Sequence, residues 1–193
     1  MALEVAGKKP LAEKKLKIEK KTEIELPKNA EDEIQKIYEF LPVEHRRGLA
    51  KLKIVDFIND PRLKDAKVNV PGDLPGLYHP KMQNKSAWME VSAGALLKPF
   101  GKFTERWMAK TSFKSNIAGL IFSLVGQHYY MTLKHSVKKQ NMEGQIRQYA
   151  QRNLKEWSES QAGNSWRGKL FKPLRPYVEK WAKWLNKKAA ENK

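Results

Sequence analysis

The chain holds four histidines, His45, His79, His128 and His135, and no cysteine. Disulfides, thiolate zinc sites and a cysteine nucleophile are therefore excluded, and imidazoles and carboxylates become the first candidates for chemistry. His128 and His135 are seven residues apart, on one face of a helix but about two turns from each other, too far to share an ion without rearrangement. Glu143 could complete a weak His/Glu metal site with that pair. The competing expectation is structural: His128 buried on a hydrogen bond, His135 exposed near a helix C-terminus, where its cation is favoured. His45 falls in a loop or short helix, and His79 in a Pro-bounded turn that suits a structural role. No Ser/His/Asp arrangement, phosphate-cradling glycine loop or zinc-finger spacing occurs.

The elements that must position these residues follow from periodicity and punctuation. Residues 1–28 mix Lys with Glu and alternate briefly at Leu16-Lys17-Ile18 and Glu23-Ile24-Glu25-Leu26, so they read as an extended arm or edge strand, ordered against a partner. They lack the apolar run of a secretory signal. Asn29 is the expected N-cap of a helix with acids in its first turn and Ile34, Ile37, Tyr38 and Leu41 on one face. A short helix over 43–49, a strand over 52–57, a turn-rich stretch over 71–80 and a strand over 86–91 follow. Residues 95–115 read as helical in part, broken near Pro99-Phe100-Gly101. The charge-free run 115–133 is nominally long enough to span a bilayer, but Gly126 to Tyr130 is too polar, and it reads as a buried core helix from about Asn116 to His135. Helices from Gln140 towards Trp157 and from Pro176 to Lys188 complete an α+β pattern, mostly helical with a short sheet. The expected division is an arm (1–28), a domain (29–160) and a basic amphipathic C-terminal segment (161–193). Six Trp and 40% hydrophobic residues suffice for a core.

Several of these segments together resemble a known family. Leu41-Pro42-x-x-His45-Arg46-x-Gly48-Leu49 precedes a strand, Gly76-Leu77-Tyr78-His79-Pro80 and Ala87-Trp88-Met89-Glu90-Val91 follow, and a long apolar helix ends in Val125-Gly126-Gln127-His128-Tyr129-Tyr130 before Glu143-x-x-Ile146-x-x-Tyr149-Ala150. The order is similar to that of small zincin-like metallopeptidase domains of microbes and viruses, over roughly 33–157. The resemblance implies a Gly-x-Tyr-x-Pro turn, an edge strand, an active-site helix bearing His-Glu-x-x-His and a downstream Glu. A zincin needs two His one helical turn apart on the metal and a Glu between them as general base. Here the pentapeptide falls on Ser123-Leu124-Val125-Gly126-Gln127: Ser123 and Gln127 replace the ligands, and Leu124, which cannot move a proton, replaces the base. Glu143 stands at the third-ligand position and His128 follows directly. The resemblance thus implies a degenerate, catalytically dead zincin, with a vestigial site at Ser123, Leu124, Gln127, His128 and Glu143, and no cofactor.

The charge points to partners. Lys and Arg number 38 against 21 Asp and Glu, a net charge of +17, which favours a polyanion. Residues 81–116 hold seven basic residues and two acids; Lys98, Lys102, Arg106, Lys110 and Lys114 recur every fourth position and would form one drifting stripe on a continuous helix, with Phe103 and Trp107 nearby. Residues 167–193 hold nine basic residues and two acids, with Leu174, Tyr177, Trp181, Trp184 and Leu185 as an apolar seam. Arg167, Lys169, Lys172, Arg175, Lys180, Lys183 and Lys187, with Lys138 and Lys139 after the core helix, complete the candidate nucleic-acid-binding set. Lys outnumbers Arg, which suits phosphate contact over base reading. The expectation is a non-catalytic zincin-like subunit of a nucleoprotein or ribonucleoprotein assembly, cytoplasmic, of a cell or virus, gripping RNA or DNA by its backbone. The alternatives are a divergent metallopeptidase rebuilt around His128, His135 and Glu143, and a scaffold for an acidic protein. The C-terminal helix could instead lie on an anionic membrane surface.

Overall fold

A computed structural model describes residues 15–59, 74–83, 85–133 and 139–164. The chain divides into two compact units, Met1–Leu154 and Lys155–Lys193. The elements in chain order are β1 (Lys17–Lys21), α1 (Ala30–Phe40), a 3-10 turn (Val43–Arg46), β2 (Leu49–Val55), β3 (Gly76–His79), β4 (Ala87–Ser92), α2 (Ala93–Leu97), α3 (Phe103–His128), a π-helical turn (Tyr129–Leu133) and α4 (Lys139–Asn164). The class is α+β, as the periodicity indicates.

The sheet runs β1-β2-β4-β3, with β1, β2 and β4 parallel and β3 antiparallel on β4. Side chains alternate between its faces. Leu52, Ile54, Met89, Val91 and Tyr78 turn inward and are 5% exposed or less. Beneath them runs α3, whose Ile117, Ile121, Phe122, Leu124 and Val125 are buried. Each such side chain contributes about 1.5–3 kcal/mol by leaving water. Ile34, Ile37 and Tyr38 of α1 join the same core. Among the described residues no helix is long and apolar enough to cross a membrane.

Within the described part of the arm the edge-strand expectation holds, and the strand it pairs with belongs to the same chain: β1 pairs with β2 from Lys17↔Lys51 to Lys21↔Val55. Asp56 clamps the chain just beyond both strands, accepting from Thr22 Oγ1 at 2.5 Å and from the Glu23 N–H at 3.1 Å. Several other local expectations are corrected. Asn29 precedes α1, but in the left-handed region (φ 63°) and without a side-chain cap. The Pro-bounded turn 76–80 is strand β3, recruited by the free edge of β4. The core helix starts not near 116 but at Phe103, because Pro99 and Gly101 fall wholly before it. Gly48, at φ 91°, makes the reversal into β2 that other residues disfavour. The expected helix over 176–188 lies outside the described residues.

Candidate functional site

The helix α3 sorts the pentapeptide 123–127 onto two faces. Ser123 and Gln127, one turn apart, line a groove of about 600 Å³ together with Glu143 and Arg147 of α4 and the apolar Met131, Met142 and Ile146. The three positions matched to zincin ligands are therefore brought together. Their chemistry is a hydroxyl, an amide and a carboxylate that accepts from Arg147 Nη2 at 3.3 Å and is 88% exposed. Leu124 and His128 turn the other way, each 1% exposed.

His128 is a core strut. Its Nε2 lies 2.8 Å from the Arg47 carbonyl, which can only accept, so Nε2 carries the proton. Nδ1 then accepts from the Tyr78 hydroxyl at 2.9 Å, and Thr132 Oγ1, 3.1 Å from the Tyr78 oxygen, is left to donate to it. Burial pushes the imidazole below its ordinary range, against the opposing effect of the Arg47 carbonyl. The relay ties α3 to β3 and to the turn before β2, and it uses both ring nitrogens. His128 and Glu143 are thus not brought together, and His135 lies outside the described residues. Among the described residues no group of three or more His, Asp or Glu side chains is placed to hold a metal ion.

His45 and His79 are likewise partnered. His45 Nδ1 lies 2.9 Å from the Tyr149 hydroxyl, with its ring 4.2 Å from that of Tyr129, and burial lowers its pKa. Burial also drives the Tyr149 phenol far up. Gly126 permits this packing, since a Cβ there would lie 2.9 Å from Tyr149 Cδ1. His79 stacks flat on Trp88 at 3.7 Å and meets Glu90 at 3.0 Å.

The basic stripe is only partly a stripe. Lys98 sits in a left-handed turn (φ 46°) after α2, and Lys102 is the residue before α3. Arg106 and Lys110 are exposed on the helix, whereas Lys114 pairs with Glu33 of α1 at 2.7 Å. That contact holds the Glu33 carboxyl below its usual range. Lys139 opens α4. Lys138, Arg167, Lys169, Lys172, Arg175, Lys180, Lys183 and Lys187 lie outside the described residues.

A second basic surface escaped the sequence reading. The outward face of the sheet forms a groove of about 520 Å³ lined by Lys15, Lys17, Lys51, Lys53 and Lys85, with Glu19, Ser86 and Trp88. Register places Lys17 beside Lys51 and Lys51 beside Trp88. Glu19 bridges Lys17 and Lys51, each at 3.1 Å, and their bonds lower its pKa. Lys53 lies over the Trp88 ring at 4.0 Å. The signal was present as period-two alternation (Lys15-x-Lys17-x-Glu19, Lys51-x-Lys53, Trp88-x-Glu90), but counting charge by segment hides residues that only strand pairing assembles. Compared with family models, curated proteins and solved structures, the chain matches none.

Proposed function

We propose that this protein is a non-catalytic, zincin-like domain that binds nucleic acid through its phosphate backbone, as a cytoplasmic subunit of a nucleoprotein or ribonucleoprotein assembly. The observation that carries the reading is the sheet-face groove, where five lysines surround one carboxylate, Glu19. Glu19 already offsets the repulsion between Lys17 and Lys51, and the five lysines still outnumber it around the groove. That excess draws an anion, and each phosphate neutralised releases counterions. Arg106 and Lys110 add a further basic surface on α3. The degenerate-zincin part is supported by Ser123, Gln127 and Glu143 sharing one groove, with Ser and Gln at the positions where a zincin carries its two His.

Fluorescence anisotropy with labelled RNA and DNA across a salt series tests the binding. The log–log slope is expected to be negative, and Lys51→Gln/Lys53→Gln lowers its magnitude by about 1.4 on single strands to 1.8 on duplex. Absence of binding at low salt, or binding indifferent to salt, overturns the reading. Metal analysis of protein purified without chelator tests the other half: stoichiometric zinc would remove the claim that the site is dead.

A further inference from the structure

The first turns of α3 stand clear of the body. Every residue from Phe103 to Met108 is exposed, and burial begins at Ala109 and Phe113. Phe103 is 74% exposed, Trp107 62%, and the preceding Phe100 87%. Three such rings within residues 100–107 set this segment apart from singly exposed apolar residues, which are ordinary on a surface. Each helical ring has a cation three residues on, Phe103 with Arg106 and Trp107 with Lys110, a spacing that makes side chains neighbours. Two ring-plus-cation units therefore follow one another at a rise of about 6 Å. Lys98 and Lys102 extend the positive charge, and the acid among them, Glu105, is turned back onto the Lys102 N–H at 3.3 Å.

The chemistry selects the occupant. A ring wants a π-face or an apolar group, and the adjacent cation wants an anion at every step. Single-stranded nucleic acid offers both in alternation, whereas a duplex keeps its base faces stacked away. The spacing of about 6 Å exceeds the roughly 3.4 Å rise of stacked nucleotides, so it suits splayed bases. A membrane-surface helix segregates its cations to the face opposite the rings. Here they share one side, and sinking Phe103 and Trp107 into lipid would carry Arg106 and Lys110 along.

We infer that the start of α3 is a single-strand site, in which Phe103 and Trp107 stack on successive bases while Arg106 and Lys110 neutralise the flanking phosphates. This rests on the nucleic-acid reading above and specifies the form of strand. The full chain is titrated with fluorescein-labelled oligo(dT), an abasic analogue of the same length and a duplex. Oligo(dT) is expected to bind at least about 10-fold tighter than the abasic strand, given base–aromatic stacking. Phe103→Ala/Trp107→Ala is expected to abolish that preference with the salt slope unchanged, and Trp107→Phe to keep most of it. Arg106→Gln/Lys110→Gln instead lowers the slope by about 1.4. Circular dichroism confirms that these exposed truncations leave the fold intact.

Equal affinity for oligo(dT) and the abasic strand overturns the inference while leaving backbone binding standing. So does a Phe103→Ala/Trp107→Ala variant that keeps its oligo(dT) affinity but loses binding to phosphatidylserine vesicles, which would assign the rings to a membrane. Failure of all three nucleic acids to bind at low salt defeats both readings together.

Discussion

Tyr78→Phe isolates the relay around His128. The substitution keeps the ring in place and deletes one oxygen, the only change being the loss of hydrogen bonds to His128 Nδ1 (2.9 Å) and Thr132 Oγ1 (3.1 Å). His128 cannot recover by switching tautomer, because its Nε2 proton is held by the Arg47 carbonyl at 2.8 Å. The Nδ1 lone pair, on a side chain 1% exposed, is left without a donor. A buried acceptor stranded in this way costs about 1–3 kcal/mol. For a chain of this size each kcal/mol moves Tm by about 2–4 °C, so a fall of roughly 2–12 °C is expected in a thermal melt followed by circular dichroism. Thr132→Val is the internal control: it removes a donor to the Tyr78 oxygen but leaves the Tyr78–His128 bond, and should cost less than about 1 kcal/mol. A Tyr78→Phe protein within about 0.5 kcal/mol of wild type, or a Thr132→Val variant equally damaged, refutes the proton assignment.

Gly126→Ala should destabilise by about 1–3 kcal/mol, because the new Cβ meets the buried Tyr149 ring at 2.9 Å; a urea midpoint equal to wild type would show that α3 and α4 are not held so close. The imidazoles of His128 and His45 are both shifted down by burial. Below about pH 6.5 the unfolded chain therefore takes up protons that the native state resists, and the urea midpoint should fall as pH drops from there towards the depressed native values. Asp56, Glu19 and Glu33 are also shifted down. Their contribution persists above the unfolded carboxylate range near pH 4 and is lost as pH falls through their native values, so a midpoint flat from pH 7 to 3 would contradict both assignments. Finally, Ser123→His/Gln127→His places two imidazoles in the groove that already holds Glu143 and should create a zinc site detectable by titration calorimetry. A double variant that takes up no zinc would show that positions 123, 127 and 143 do not have metal-binding geometry.

The helical half of the fold was legible because long apolar periodicities survive tertiary packing. Ile34, Ile37 and Tyr38 lie on the buried face of α1, and Ile117 to Val125 form the buried heart of α3. The sheet was legible only in part. β2 and β4 carry enough branched and aromatic residues to declare themselves, and alternation at Leu16-Lys17-Ile18 marks the edge strand β1, but Lys-Ile-Glu-Lys-Lys does not reveal that β2 is its partner. β3 is four residues long, too short for alternation to register. In the site, Ser123, Gln127 and Glu143, grouped by the resemblance to zincins, line one groove, while the hydrogen-bond partners of the buried His128 are Tyr78 and Arg47, 50 and 81 residues away. Strand register likewise assembled the lysines of the sheet face from three separate segments, which no local window can see.

The parallel pairings also dictate an order of assembly. β1 and β2 meet across about 34 residues, the separation that Asp56 closes onto Thr22, and β2 cannot acquire its second neighbour until β4 has been made. Closing such loops costs chain entropy before any contact returns it. β1 and β2 can pair once residue 55 is made, whereas the second edge of β2 stays open until β4 is complete at Ser92. Lys51 and Lys53 on β2 disfavour pairing of that open edge with another chain.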